Sequence, residues 1–220
     1  LGLLASLPYL GALAALTLLP AVLAGWVHST GLALQGQTLN PLHLLAPLRS
    51  PQRLALLKLG LIHAAGSLLL LELGDLIDSD FMQQWTLAVG GQAADDEMSA
   101  RALVEVQHGL MLRAALQLPL LLLLWHAPVL VHRAALPLAQ AIFSSALASL
   151  RNLGAFLIYG LSWIVADLLL SILVGVLLGL IGQSALAVLV IVPASMLFSA
   201  AFLASLHASV HGCLDFDEQP

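Results

Sequence analysis

Ionisable side chains inside apolar stretches are the first candidates for chemistry in this 220-residue sequence. Glu72, Arg113 and Asp167 each lie in a run long enough to cross a bilayer, where a charged side chain costs about 2.5 to 3.5 kcal/mol on insertion scales. Glu72 and Arg113 fall at similar depths on neighbouring antiparallel segments, which predicts that they pair. Two hypotheses stay open for these three predicted buried polar residues: a path for protons or ions, or contacts that only fix helix packing.

Histidine is the second residue type with chemical potential, and the sequence contains eight. His28, His63, His126 and His207 each lie a few residues from the same predicted side of the membrane, on four different predicted helices. Four imidazoles at one depth could ligate a metal ion or supply axial ligands to a haem. Alternatively, they are polar tips at the membrane interface or packing residues. We predict no cofactor and no metal, and keep the four histidines as candidates.

Enzyme signatures are missing from the sequence. There is no Gly-rich phosphate loop, no His-Glu-x-x-His and no Gly-x-Ser-x-Gly nucleophile turn. Cys213 is a single cysteine, so a disulfide framework is excluded as well. The sequence therefore predicts a protein that is not an enzyme and has no catalytic residues.

The composition indicates which elements must position these residues. Sixty per cent of the chain is apolar and 9% is charged, against about 25% charged in ordinary globular proteins. The mean hydropathy is +1.01. Five stretches reach the roughly 20 apolar residues that a spanning helix needs: 8–36, 54–77, 105–131, 153–180 and 184–210. We predict an all-α polytopic membrane bundle that forms one transmembrane domain over residues 1–220, and no nucleic-acid binding.

The ends of the predicted bundle differ in charge and in local structure. The chain opens without Met in an apolar run, residues 1–6, which predicts the tail of a sixth span. Basic residues flank two connections, and acidic residues fill the connection 78–104. The positive-inside bias therefore places the basic connections and the C-terminus in the cytoplasm of a bacterium, and it places the acidic loop outside. Three prolines in 37–53 exclude a long helix there. Residues 137–151 predict a short interfacial helix before the fifth span. The basic residues are Arg49, Arg53, Lys58, Arg133 and Arg151.

Small residues mark a packing face on the fifth span. Ser171, Gly175 and Gly179 are spaced by four and lie on one side of a helix. Such a row lets another backbone approach closely. The partner is either a helix of the same bundle or a helix of another protein, and the sequence leaves both open.

Four segments carry a resemblance to a known family. They are LLPAVLAGW (18–26), WHAPVLV (125–131), SLRNLGAFLIYGL (149–161) and PASMLFSAAFLASLHAS (193–209). Through them the chain resembles uncharacterised six-helix inner-membrane proteins of proteobacteria, distantly similar to the membrane domain of some glycerophosphodiester phosphodiesterases. The resemblance implies a six-helix fold in the inner membrane. It implies no catalytic residues, because the phosphodiesterase chemistry belongs to a separate soluble barrel.

Three functions are compatible with these observations. The first is a non-catalytic accessory or scaffold subunit of an inner-membrane complex, whose partners are the lipid bilayer and other membrane subunits. The second is a permease or lipid-handling protein, which the charged residues and the helix-kinking prolines favour. The third is a haem- or metal-binding protein that uses the histidines.

Overall fold

Most of the described chain is helical. The computed structural model describes residues 10–89, 96–181 and 187–214, and these ranges contain no strand. A 3₁₀ segment, Pro41–Leu45, follows the first helix. The α-helices are α1 Leu10–Leu34, α2 Ala46–Arg49, α3 Arg53–Ile77, α4 Phe81–Val89, α5 Asp96–Leu124, α6 Ala127–Arg133, α7 Leu138–Arg151, α8 Leu153–Ile181 and α9 Ala187–Cys213.

The structure confirms the all-α membrane fold. Within the described ranges, five helical stretches are long and apolar enough to cross a bilayer. The third of them, Ala100–Arg133, comprises α5 and α6 and bends between these two helices, where Pro128 occupies the first turn of α6. The sixth span predicted at 1–6 falls outside the described residues. The helix predicted at 137–151 is present as α7, and only short helical pieces interrupt the proline-rich connection.

The connection 78–104 is not the plain loop that the charge pattern predicted. Helix α4 occupies its first part, and α5 already begins at Asp96. Acidic residues at the start of a helix are stabilised by the helix dipole, and Glu97 pairs with Arg101 one turn further on. The acidic run therefore starts a helix. Charge alone did not distinguish this from an exposed loop.

The packed part of the bundle is formed by α1, α3 and α5–α6, with α7 against them. Two glycines allow close backbone contact there. A Cβ atom on Gly60 would collide with the carbonyl oxygen of Thr17 on α1, and one on Gly25 would collide with the carbonyl oxygen of Leu44. The buried apolar cluster consists of Ala21, Leu56, Leu59, Leu124, Ala127, Leu130, Val131 and Ala141.

The two ends of this bundle are chemically distinct. We call the end at which α1 and α6 finish and α3 begins the basic end, because Arg53, Lys58 and Arg133 lie there. The opposite end, at which α3 finishes, is called the acidic end, because Asp75, Asp78 and Asp80 lie there.

Helices α8 and α9 form a hairpin that is only partly attached to the rest of the bundle. Rings on the two helices pack edge to face: Trp163 lies 5.2 Å from Phe198 and 5.3 Å from Phe202 between ring centroids. None of the residues in the most apolar 18-residue window of either helix is buried, whereas 28 to 39% of the corresponding windows is buried in the other three spans. The hairpin contacts the rest of the bundle chiefly at the basic end, where Nδ1 of His207 lies 3.2 Å from the carbonyl oxygen of Val27.

Candidate functional site

Arg113 connects three elements at the acidic end. Its guanidinium donates to the carboxylate of Asp78 at 2.9 Å, to the carboxylate of Asp75 at 2.5 Å and to the carbonyl oxygen of Gly109 at 3.2 Å. The same group lies 3.8 Å from the ring centroid of Phe81 on α4, a cation–π distance. The Arg113 side chain is only 9% exposed. Its contacts form a buried network that joins α3, α4 and α5.

The predicted pair between Glu72 and Arg113 is wrong, and so is the predicted burial of Glu72. Glu72 is exposed on α3, and Arg113 faces Gly74 instead. Gly74 lies two residues after Glu72 and therefore about 200° further round the helix, so Glu72 points away from α5. Equal depth was a correct inference, but depth does not determine which side of a helix a residue occupies.

Asp167 is also exposed, contrary to its predicted burial. It is the middle residue of α8, and it lies on the same side as the predicted packing face of Ser171, Gly175 and Gly179. All three of these residues are exposed, and a Cβ atom on either glycine would find no heavy atom within 4 Å. Within the described part of the chain, no neighbouring helix packs against α8 at Gly175 and Gly179.

The four candidate histidines lie in separate environments. Nδ1 of His63 is 3.2 Å from the carbonyl oxygen of Leu16, and His207 is held against Val27. His126 is completely buried against the Phe156 ring, and its two ring nitrogens lack a hydrogen bond of good geometry among the described residues. Its position in the core agrees with the packing alternative and not with the interfacial one.

His28 instead lies in a group that sequence reasoning missed. Its ring centroid is 6.5 Å from that of His43 and 5.7 Å from that of His132. A second pair, His207 and His211, has centroids 4.4 Å apart, and a guanidinium nitrogen of Arg133 lies 3.2 Å from Nε2 of His211. Five of the eight histidines therefore gather at the basic end. They come from α1, the 3₁₀ segment, α6 and α9. The spacing of four residues indicates the pair of His207 and His211, whereas no spacing indicates the contacts of His28.

The described ranges do not bring the four predicted histidines into contact with one another. No ring contact joins any two of His28, His63, His126 and His207 in the described ranges. In the same ranges, no group of three or more His, Cys, Asp or Glu side chains has an arrangement that could hold a metal ion. The rings serve as hydrogen-bonding and packing groups in their observed positions.

A cavity between α8 and α9 opens near the basic end. Its volume is about 320 Å³, and its lining combines apolar and hydroxyl groups. The hydroxyls of Tyr159 and Ser205 are 2.6 Å apart, and Nε1 of Trp125 donates to the hydroxyl of Ser209 at 3.1 Å. These hydroxyls thus already have partners within the protein, and the cavity lacks a charged side chain among its lining residues.

Comparison with known proteins supports a membrane protein and specifies little more. Over 216 residues the chain is 28% identical to a probable inner membrane protein of Burkholderia thailandensis, and the match covers 96% of this chain and 78% of that protein. No family model matches the chain, and no solved structure matches it. The likeness agrees with the inner-membrane part of the predicted resemblance. Together with five apolar helices, it identifies a multi-pass membrane protein.

Proposed function

We propose that this chain is a non-catalytic accessory or scaffold subunit of a membrane protein complex in the bacterial inner membrane, with its basic end and C-terminus in the cytoplasm. The observation that carries the proposal is the position of Asp167. It is an exposed carboxyl group at the centre of an apolar helix, and it has no hydrogen bond or ion pair among the described residues. Hydrocarbon offers no hydrogen bond to such a group, so another polypeptide is its natural partner.

The attachment of the α8–α9 hairpin supports the same function. A helix that meets its own bundle on one side only leaves its other side for lipid or for a neighbouring protein. Small residues are characteristic of helix contacts in membranes because they let two backbones approach, and α8 presents Ser171, Gly175 and Gly179 on that open side. This is the face that we assign to subunit contact.

A lipid-handling role is the second candidate, and the α8–α9 cavity favours it. A space of about 320 Å³ beside Phe156 and Tyr159 is large enough for part of an acyl chain. We rank it second because its hydroxyl groups already bond within the protein. The distant similarity to the membrane domain of glycerophosphodiester phosphodiesterases stays a prediction and brings no reaction with it.

The decisive experiment is native mass measurement of the tagged protein, extracted in its surrounding lipid by an amphipathic polymer. We expect a mass above that of one chain, with other membrane proteins present in fixed stoichiometry. Gly175→Leu with Gly179→Leu should reduce the mass without unfolding the chain, because a Cβ atom at either position has no heavy atom of the described residues within 4 Å. Gly60→Leu, which would collide with α1, is the matched control for damage to the fold. A wild-type protein that is always a lone monomer would refute the proposal.

A further inference from the structure

The α8–α9 cavity lies at the depth at which a bilayer changes from hydrocarbon to headgroups. Helix α9 has 27 residues and is therefore about 40 Å long at 1.5 Å per residue. Centred on a hydrocarbon core of about 30 Å, it extends about 5 Å beyond the core at each end. Ser209 lines the cavity four residues before Cys213, the last residue of α9, and so lies about 6 Å from that end. This is the boundary region, in which the ester groups of glycerolipids lie.

Two hydroxyl groups in the cavity use their protons within the protein. The Ser205 hydroxyl donates to the carbonyl oxygen of Phe202 at 2.7 Å, and a hydroxyl has only one proton to donate. In the pair that Ser205 forms with Tyr159, at 2.6 Å, the tyrosine is therefore the donor. Neither hydroxyl has a proton left for a ligand.

Ser209 differs from these two groups because it acts as an acceptor. Nε1 of Trp125 donates to the Ser209 oxygen at 3.1 Å, and an indole nitrogen can only donate. The proton of the Ser209 hydroxyl has no acceptor among the described residues. The cavity therefore offers one hydrogen-bond donor, and a ligand has to supply the acceptor.

The rest of the lining restricts the chemical class of the ligand. The described lining residues include no charged side chain, so the cavity has no counter-charge for a phosphate group. Phe156 provides an apolar wall, and the exposed residues Ala208 and Gly212 border the opening. The most apolar windows of α8 and α9 contain no buried residue, so the cavity is reached from the surrounding lipid. A ligand that fits combines an apolar chain with an uncharged acceptor.

We propose that the α8–α9 cavity binds one acyl ester of a membrane glycerolipid. The ester carbonyl oxygen accepts a hydrogen bond from the Ser209 hydroxyl, and the first part of the acyl chain packs against Phe156. The volume of about 320 Å³ holds only this part of the lipid, and the headgroup stays outside the cavity. The inference rests on the second candidate function, which it deepens, and it does not depend on the subunit role.

Two lipids that differ only in their linkage test the hydrogen bond. The purified protein in detergent is titrated with dioleoylphosphatidylglycerol and with its dioleyl ether analogue, which has the same headgroup and chains but lacks the carbonyl oxygens. Native mass spectrometry counts the bound lipids. The wild-type protein should bind the ester lipid about 2- to 12-fold more tightly, the range for one neutral hydrogen bond. Equal affinity for the two lipids would overturn the proposal.

Substitution of Ser209 tests the assignment of the donor. Ser209→Ala should remove the preference for the ester lipid and leave the affinity for the ether lipid nearly unchanged, because it removes the hydroxyl and little volume. Ser162→Ala is the matched control, because the Ser162 hydroxyl is exposed on α8, lies outside the cavity and donates to the carbonyl oxygen of Ile158. This control should keep the preference. A preference that persists in Ser209→Ala would overturn the proposal.

The single cysteine reports where the lipid binds. Cys213 lines the cavity, so its labelling by N-ethylmaleimide should slow as the ester lipid is added. Gly212→Leu should abolish lipid binding, because the new side chain fills the space and its Cβ atom has no heavy atom of the described residues within 4 Å. Gly160→Leu, which is equally open but outside the cavity, is the matched control. Lipid binding that leaves the labelling rate unchanged would overturn the proposal.

The outcome separates this inference from the subunit role. If the native mass shows other membrane proteins and the two lipids bind equally, the subunit role stands and the ester site is refuted. If the ester lipid is preferred and the protein is always a lone monomer, the ester site stands and the subunit role is refuted.

Discussion

The network around Arg113 gives the sharpest quantitative prediction about stability. Its two ion pairs are unequal because the partners differ in exposure: the Asp75 side chain is 57% exposed and that of Asp78 is 29% exposed. An exposed ion pair contributes about 0 to 1 kcal/mol, whereas a hydrogen bond to a charged group that is partly buried contributes about 1.5 to 3 kcal/mol. The Phe81 contact adds about 0.5 to 1 kcal/mol. Arg113→Met should therefore lower the free energy of unfolding by about 2 to 5 kcal/mol.

Double-mutant cycles divide this loss among the partners. We expect a coupling energy between Arg113 and Asp78 of about 1 to 2 kcal/mol, and a smaller coupling between Arg113 and Asp75. Glu72→Gln is the matched control, because Glu72 lies on α3 with Asp75 but has no contact with Arg113. Its effect and that of Arg113→Met should therefore be additive within about 0.5 kcal/mol. The free energies come from reversible unfolding in mixed micelles with increasing SDS. Strong coupling to Glu72, or additive effects of Arg113 and Asp78, would contradict the observed geometry.

Three other outcomes follow from the structure. Gly60→Ala should lower the free energy of unfolding by about 1 to 3 kcal/mol, because the added methyl group meets a backbone carbonyl oxygen. Gly160→Ala should be neutral or slightly stabilising, because its methyl group meets open space. Thermal unfolding in detergent compares the two variants. His126→Leu should keep the free energy of unfolding within about 1 kcal/mol of the wild-type value, because it removes two buried nitrogens that lack a hydrogen bond of good geometry. His126→Ala should lower it by about 2 kcal/mol or more, because it leaves a cavity. Equal losses in the two variants would contradict this reasoning. A reporter active only in the periplasm should work when fused near Gly91 and stay silent when fused after Pro220, and activity at the second position would reverse the proposed orientation.

The spanning helices could be predicted from the sequence because one physical requirement governs them. Each must satisfy its backbone internally while crossing the hydrocarbon, so an apolar run of sufficient length is enough to locate it. The predicted span 153–180 differs from α8 by a single residue at its end. Errors appeared where that requirement no longer applies. The acidic segment after α4 had the composition of a loop, and its helical start depends on the helix dipole and the Glu97–Arg101 pair.

Contacts between side chains were less accessible to sequence reasoning. Depth along a helix follows from counting residues, and depth correctly brought Arg113 near the acidic end of α3. The direction of a side chain depends on how the helices are rotated against each other, and an almost uniformly apolar helix gives no periodic pattern that fixes this rotation. That is why the sequence favours Glu72 over Asp78 as the partner of Arg113. For the same reason, the approach of His28 to His43 and His132 could not be anticipated.

The positions of the charged residues within the bundle explain why one of them points to assembly and the other to folding. Arg113 is enclosed by partners on α3 and α4, so its energetic demand is met inside one chain, and its loss should be seen as lost stability. Asp167 is an exposed carboxyl group at the centre of α8, without a hydrogen bond or ion pair among the described residues. We propose that a second polypeptide supplies its polar partner. A residue of this kind stabilises the assembled state over the single chain, so Asp167→Ala should weaken association while leaving the unfolding of the isolated chain nearly unchanged.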